Sequence, residues 1–239
     1  MKKQNTKKEV GETLVNFILD KSGSMESVRE ATRSGFNEYL NTLKKDGNKY
    51  RFSLTLFDTM IQTPYVDSPI TEVSEMSVDD YNPDGSTALY DAICTTIKGV
   101  KERKGQKVIN VIMTDGEENS SKEYTQVQMR AMIDELTKKG NWTFVYLGAN
   151  QDSYANAQKY GIPTMNATNF SATPTGIKRA MNTMAANTCN FAVSTNVGTN
   201  QFFTDQDQNN LVEDKKISQH FSSLGKKSWE VRRRSILGE

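Results

Sequence analysis

Short apolar runs alternate with longer segments of helical periodicity along most of this chain. Four runs of eight or nine residues are rich in apolar or β-branched residues and too short for helices, which predicts buried strands: 13–20, 50–58, 108–115 and 142–150. A fifth, brief strand is predicted near 162–166. Apolar residues spaced to bury one face predict helices over 26–45, after Thr87, around 129–136 and around 177–184, and a short polar helix is predicted around 153–160.

This order of strands and helices predicts the fold class. Strands separated by helices need crossover connections, which build a mainly parallel sheet with helices on both faces. The segment IQTPYVDSPI (61–70) continues extended after the second strand, and Pro64 and Pro69 suit an edge strand rather than a central one. We therefore expect a doubly wound, Rossmann-like α/β domain with one antiparallel edge strand.

Composition divides the chain into three parts. Residues 1–10 are expected to be a flexible tail, residues 11–191 the α/β domain, and residues 192–239 a polar extension with a basic end. At 239 residues, one domain with extensions is the expected organisation.

Net charge and cysteine content limit the classes of partner. The formal net charge is +1, so no global field favours nucleic acid or an anionic membrane. No apolar run is long enough to span a membrane, and MKKQNTKKEVGE lacks the apolar core of a signal peptide. Cys94 and Cys189 lie in apolar segments, which favours reduced thiols in a cytoplasmic protein, although a disulfide between them stays open.

Oxygen-bearing side chains concentrate in three loops that follow predicted strands or open a predicted helix. These loops are DKSGS (20–24), PDGSTALYD (83–91) and TDGEEN (114–119). In a doubly wound sheet, ligands bind beyond the carboxyl ends of the strands where the strand order reverses. If the strands 13–20 and 108–115 are neighbours there, five residues converge: Asp20, Ser22, Ser24, Thr87 and Asp115.

Two carboxylates, three hydroxyls and water can satisfy a hard divalent cation such as Mg²⁺. Hydroxyls add no charge, so the cation would stay electrophilic and would favour an anionic ligand. A Ca²⁺ site would normally use more carboxylates, and a Zn²⁺ site would use histidine or cysteine, whereas the one histidine, His220, lies in the extension. The inventory of side chains therefore excludes zinc. The alternative is that Ser22, Ser24 and Thr87 cap helices and that Asp115 begins a turn with Gly116.

The pattern Asp20-x-Ser22-x-Ser24, followed by Thr87 and Asp115, resembles the metal-ion-dependent adhesion site (MIDAS) of the von Willebrand factor type A family. The resemblance covers roughly residues 11 to 190. It implies that Ser22, Ser24 and Thr87 bind Mg²⁺ directly. The general affinity order makes Mn²⁺ an alternative, and the small number of carboxylates makes Ca²⁺ less favoured. It also implies that Asp20 and Asp115 act directly or through water, and that an acidic side chain of a protein partner fills the open position. The stretches ALYDAI, TDGEEN and YLGANQD resemble intracellular bacterial and phage members.

Other polar residues are predicted to surround this site. Asp84, Glu117 and Glu118 are expected to be solvated charges at its rim. Asp91 is a candidate for holding the metal ligands in place without binding the metal itself. The turn that follows the strand 142–150 offers further candidates for the rim, with an ordinary polar turn as the alternative: Asn150, Gln151 and Asp152.

The sequence therefore predicts a non-catalytic, metal-dependent protein-binding module in a bacterial or phage intracellular complex. One alternative is a Mg²⁺-dependent hydrolase of the phosphatase type, but such enzymes use a second acid two residues after the aspartate, where this chain has Ser22. A second alternative is binding of nucleic acid or an acidic partner through the basic segment KKSWEVRRRS (226–235).

Overall fold

A single six-stranded sheet organises the chain. The structure is a computed structural model that describes residues 11–101, 103, 105–194 and 201–211. The strand order is β3-β2-β1-β4-β5-β6, and β3 alone runs antiparallel to its neighbour. The strands are β1 (Thr13–Asp20), β2 (Tyr50–Phe57), β3 (Ile61–Pro69), β4 (Lys107–Thr114), β5 (Trp142–Gly148) and β6 (Ala167–Asn169). The predicted fold class, including the antiparallel edge strand with its two prolines, is confirmed.

Helices cover both faces of the sheet, as right-handed crossovers require. The apolar residues of α1 and α5 share one core with one face of β1, and those of α2, α3 and α4 share a second core with the other face. The helices are α1 (Arg29–Lys45), α2 (Leu89–Gly99), α3 (Gln126–Lys138), α4 (Ser153–Tyr160) and α5 (Pro174–Val193).

Two element boundaries differ from the sequence prediction. The helix predicted from residue 26 begins as a 3₁₀-helix over Gly23–Val28, which buries Met25 and Val28 because residues three apart share a face in that geometry. The predicted strand near 162–166 is also displaced. Its second half forms a 3₁₀-helix after Pro163, and the strand that pairs with β5 follows it.

The strand order reverses between β1 and β4, which are parallel neighbours over their whole length. The five parallel strands end at the same edge of the sheet, called here the carboxyl edge. The opposite edge is the amino edge. Loops that leave β1 and β4 must therefore meet at the carboxyl edge, where doubly wound folds bind ligands.

Part of the polar extension packs on the domain. The helix α5 continues to Val193, and a further helix spans residues 205–211. Phe202, Phe203 and Leu211 are buried in the core shared by α1 and α5. The predicted tail over residues 1–10 and the rest of the extension lie outside the described residues.

The described part of the chain contains no helix long and apolar enough to cross a membrane. Cys94 and Cys189 are both free thiols. Cys94 packs in the core on one face of the sheet, and Cys189 packs against the core on the other face. The sheet separates them, which excludes the disulfide that the sequence left open.

Candidate metal site

Three loops bring the five predicted ligands together at the carboxyl edge. Asp20 is the last residue of β1, Asp115 follows the last residue of β4, and Thr87 lies two residues before α2. Asp20, Ser22, Thr87 and Asp115 are buried, whereas Ser24 is exposed. Ser24 is therefore the member of the cluster that meets solvent.

Hydrogen bonds join four of the five residues. The Ser24 hydroxyl donates to Asp115 Oδ1 at 2.5 Å, and the Oγ atoms of Ser22 and Ser24 lie 3.2 Å apart. Asp20 Oδ1 accepts a hydrogen bond from the Ser22 backbone N–H at 2.7 Å. The alternation of serines after Asp20 thus turns both hydroxyls toward the same carboxylate pair.

Gly116 shows that Thr87 belongs to the same cluster. A Cβ atom at Gly116 would lie 3.0 Å from Thr87 Oγ1 and 3.8 Å from both Asp20 Oδ2 and Ser24 Oγ. Oxygens from three separate loops therefore surround one small volume, and the missing side chain of Gly116 leaves it open.

The helix-capping alternative is wrong for Ser22 and Thr87. Ser22 occupies the N-cap position of the 3₁₀-helix, but its side chain makes no capping hydrogen bond. The N-cap of α2 is Ala88 rather than Thr87, and the side chains that accept from the first-turn N–H groups of Tyr90 and Asp91 are those of Glu118 and Ser121. By contrast, Thr125 and Asp152 cap α3 and α4 with their side chains, so this chain uses ordinary caps elsewhere.

Burial raises the pKa of both aspartates in the cluster. For Asp20 the pKa rises from 3.8 to about 6, because desolvation outweighs the hydrogen bonds from Thr114 and Ser22 that favour the charged form. The pKa of Asp115 is also raised by burial, against a hydrogen bond from Ser24. Among the described residues, no cationic side chain pairs with either carboxylate, which fits a bound cation that would supply the positive charge.

The donor set fits a hard divalent cation. Three neutral hydroxyls and two carboxylates supply oxygen ligands only, as Mg²⁺ and Mn²⁺ prefer. Within the described ranges, no group of three or more histidine, cysteine, aspartate or glutamate residues could hold a metal in another way. Asp20, Ser22, Ser24, Thr87 and Asp115 are the residues that would hold the ion.

Several residues that support the site were missed by sequence reasoning. The Thr114 hydroxyl donates to Asp20 Oδ2, and the Tyr81 hydroxyl donates to the Asp20 carbonyl oxygen at 2.6 Å. Lys21, the residue between Asp20 and Ser22, forms a buried ion pair with Asp58, which directly follows β2. No local pattern marks these contacts, because each joins residues that are distant in sequence.

The loop after β4 is tied to Thr87. Asn119 Oδ1 accepts from the Thr87 N–H at 2.8 Å, and the Thr87 carbonyl accepts from the N–H groups of Asn119 and Ser120 at 3.0 and 3.3 Å. Gln151 supports the same loop, because its Nε2 donates to the Gly116 carbonyl at 3.3 Å. The loops that carry Thr87 and Asp115 are therefore connected to each other as well as to the sheet.

The predicted rim residues divide into two groups. Glu118 is half-buried and accepts hydrogen bonds from the backbone of Tyr90 and of residues 120–121, so it fixes the loop. Asp91 does the same for the backbone of residues 122–124, away from the five ligands. The exposed members, which can meet a ligand, are Asp84, Glu117, Asn150 and Asp152.

Comparison with known proteins supports the fold. The sequence matches no family model and no curated protein sequence. Among solved structures, the pilus adhesin SpaC from Lactobacillus rhamnosus GG aligns with a TM-score of 0.62 at 14% identity, covering 76% of this chain and 31% of that one. A von Willebrand factor type A protein from Catenulispora acidiphila aligns with a TM-score of 0.52 at 14% identity, covering 74% and 42%.

Proximal thread matrix protein 1 from the mussel byssus, in a form whose MIDAS motif is occupied by zinc, aligns with a TM-score of 0.58 at 13% identity. The alignment covers 75% of this chain and 46% of the mussel protein, so this chain spans less than half the length of that neighbour. Because a MIDAS motif there holds zinc, residue inventory alone does not exclude Zn²⁺ from such a site. Strand order, helix placement and these alignments agree: the chain has the von Willebrand factor type A fold.

Proposed function

We propose that this chain is a metal-dependent protein-binding module whose cation accepts a carboxylate from a protein partner. The observation that carries the proposal is the convergence of Asp20, Ser24, Thr87 and Asp115 oxygens around the open volume beside Gly116. Capping does not account for these hydroxyls, and the two buried carboxylates need a positive charge.

The proposed metal is Mg²⁺ or Mn²⁺, because all five donors are hard oxygens. Bound there, the ion would supply an electrophilic centre for an anionic ligand, since three of its five protein ligands carry no charge. The chain's own task is positioning. Backbone and hydroxyl donors orient Asp20, and the contacts of Asn119 and Gln151 hold the loop that carries Asp115.

We further propose that the module performs no catalysis. Ser22 stands where phosphatases that use a nucleophilic aspartate carry their general acid. The Tyr81 hydroxyl is buried and donates a hydrogen bond to the Asp20 backbone carbonyl, so it does not replace that acid. Sustained Mg²⁺-dependent release of phosphate from generic esters would overturn this part of the proposal.

The setting of the module remains a prediction from sequence. An intracellular bacterial or phage complex and a cytoplasmic location rest on the resemblance of ALYDAI, TDGEEN and YLGANQD, and on two cysteines that are free thiols. The structural neighbours named above include a pilus adhesin and a byssus protein.

Affinity capture with a matched pair of hydroxyl variants tests the proposal. We expect bacterial proteins captured by the immobilised full chain in Mg²⁺ to be lost in EDTA and lost with Thr87→Ala. Ser86→Ala removes an exposed hydroxyl from the adjacent position and should leave capture unchanged. Treating the lysate with a carbodiimide and an amine, which amidates carboxyl groups, should also abolish capture. Retention of the same proteins in EDTA would contradict a metal-dependent mode of binding.

A further inference from the structure

The charge around the candidate site restricts the ligands that it can accept. The loops 20–24, 83–87, 115–119 and 149–152 border the site and together contain six carboxylates and one basic residue. That basic residue, Lys21, is already paired with Asp58. With a bound dication, the formal charge of these loops is still −3, so a lone carboxylate approaches against an overall negative field.

The exposed acids are placed to meet the groups that flank such a carboxylate. Asp84, Glu117 and Asp152 are all exposed and lie in three different loops around the cluster. A ligand that carries positive charges on both sides of its acidic residue would satisfy the cation and the rim together. The site is therefore complementary to an acidic residue flanked by basic ones.

The chain itself contains such a segment. In KKSWEVRRR (226–234), Glu230 has Lys226 and Lys227 before it and three arginines after it. This segment lies outside the described residues. Its charge pattern is the complement of the one at the carboxyl edge.

The last described helix leads the chain toward the site. The α5 helix starts at the carboxyl edge and ends at the amino edge, where Lys107 at the start of β4 donates to the carbonyl of Phe191. In the helix 205–211, Asp207 contacts Asn187 and the Asn210 carbonyl accepts from Arg179. The helix 205–211 therefore runs antiparallel to α5, toward the carboxyl edge.

The intervening chain is long enough to reach the cluster. Fourteen residues separate Leu211 from Lys226, and they can span at most about 50 Å. The strands β4 and β6 are two places apart in the sheet, which is about 10 Å. A tether of this length also gives an effective concentration on the order of millimolar, which favours binding within one molecule over binding between copies.

We propose that residues 226–234 bind the carboxyl edge of their own chain, with Glu230 as the carboxylate at the cation and the flanking lysines and arginines against the exposed acids. This inference rests on the proposed metal-dependent function and names the class of ligand: an acidic residue between basic residues. A protein partner of the same chemistry would then have to displace this segment.

The two tryptophans allow a direct test in the full chain. Mn²⁺ is paramagnetic and broadens NMR signals of nearby protons, with an effect that falls steeply with distance. Trp142 begins β5 at the amino edge, far from the site, whereas Trp229 immediately precedes Glu230. We expect Mn²⁺ to cause loss of the Trp229 indole N–H signal and to leave that of Trp142.

Variants separate this inference from the proposed function. Glu230→Gln should restore the Trp229 signal, and calorimetry on the same samples should still show Mn²⁺ binding, weaker than in the wild type because the variant lacks the carboxylate at the cation. Glu213→Gln, an acid in the intervening chain, should behave as the wild type. Bound Mn²⁺ with an unbroadened Trp229 signal would overturn the inference alone, and so would broadening that grows with protein concentration. Absence of Mn²⁺ binding would instead overturn the proposed function.

Discussion

Replacing Asp20 with asparagine is expected to stabilise the metal-free protein and to abolish its response to Mg²⁺. Asparagine keeps the shape of the side chain and its acceptor for the Ser22 N–H. The Thr114 hydroxyl can turn to donate to the Gly116 carbonyl, 3.0 Å away, and can accept from the new amide. The buried charge, however, is removed.

The effect depends on pH in a defined direction. Because burial raises the pKa of Asp20 to about 6 in the metal-free fold, the stability associated with its neutral form is full below about pH 4. It is lost as the pH rises through 6, at a cost of about 2–3 kcal/mol by pH 7.5. Asp20→Asn should keep this stability at every pH. The gap in free energy of unfolding between the variant and the wild type should therefore widen as the pH rises.

Urea unfolding in EDTA between pH 4.5 and 7.5 measures this gap. Mg²⁺ at 100 times its Kd should add about 2.7 kcal/mol to the wild type and nothing to Asp20→Asn. Glu117→Gln, which removes an exposed acid from the rim, should follow the wild type in both respects. A wild-type protein that Mg²⁺ fails to stabilise would argue against the site.

Asp58→Asn is expected to destabilise the fold by about 3 kcal/mol. Asp58 pairs with Lys21, and both residues are largely buried at the base of the loop that carries the two serines. Asparagine can still accept the hydrogen bond from the Met60 N–H, but it leaves the lysine ammonium without a counter-charge. Denaturant unfolding in EDTA measures the loss independently of metal.

The double variant Lys21→Met/Asp58→Asn serves as the control. It removes the uncompensated charge, so it should recover a large part of the stability that Asp58→Asn loses. A single variant as stable as the wild type would show that the ion pair does not hold this loop. The pair then could not be counted among the contacts that position Asp20 and Ser22.

Sequence predicted the parts of this protein that depend on local pattern. The apolar runs and helical spacing were sufficient for the doubly wound sheet, because strands of this length separated by helices have few ways to bury both faces. The five predicted metal ligands follow strand ends or open a helix. They come together because β1 and β4 are neighbours in the sheet.

The contacts that position those ligands were not predictable in the same way. Tyr81 and Asp58 reach the first loop from 61 and 37 residues away, and nothing in their own neighbourhoods marks the contact. The sequence suggested a role for Gly116 only in the alternative of a turn after Asp115, whereas its lack of a side chain keeps the oxygen cluster open. Glu118 was predicted as a solvated charge, but its oxygens bind backbone N–H groups that only the folded loop presents.

The central claim is that oxygens from three loops hold one divalent cation in the volume beside Gly116. Calorimetric titration of the EDTA-treated full chain with Mn²⁺ tests it most directly, with Gly116→Ala and Thr87→Ala beside the wild type. The methyl group of Gly116→Ala would lie 3.0 Å from Thr87 Oγ1, filling the volume without removing any ligand. We predict one Mn²⁺ per wild-type chain and no measurable binding to either variant. Equal Mn²⁺ affinity in all three proteins would contradict the account.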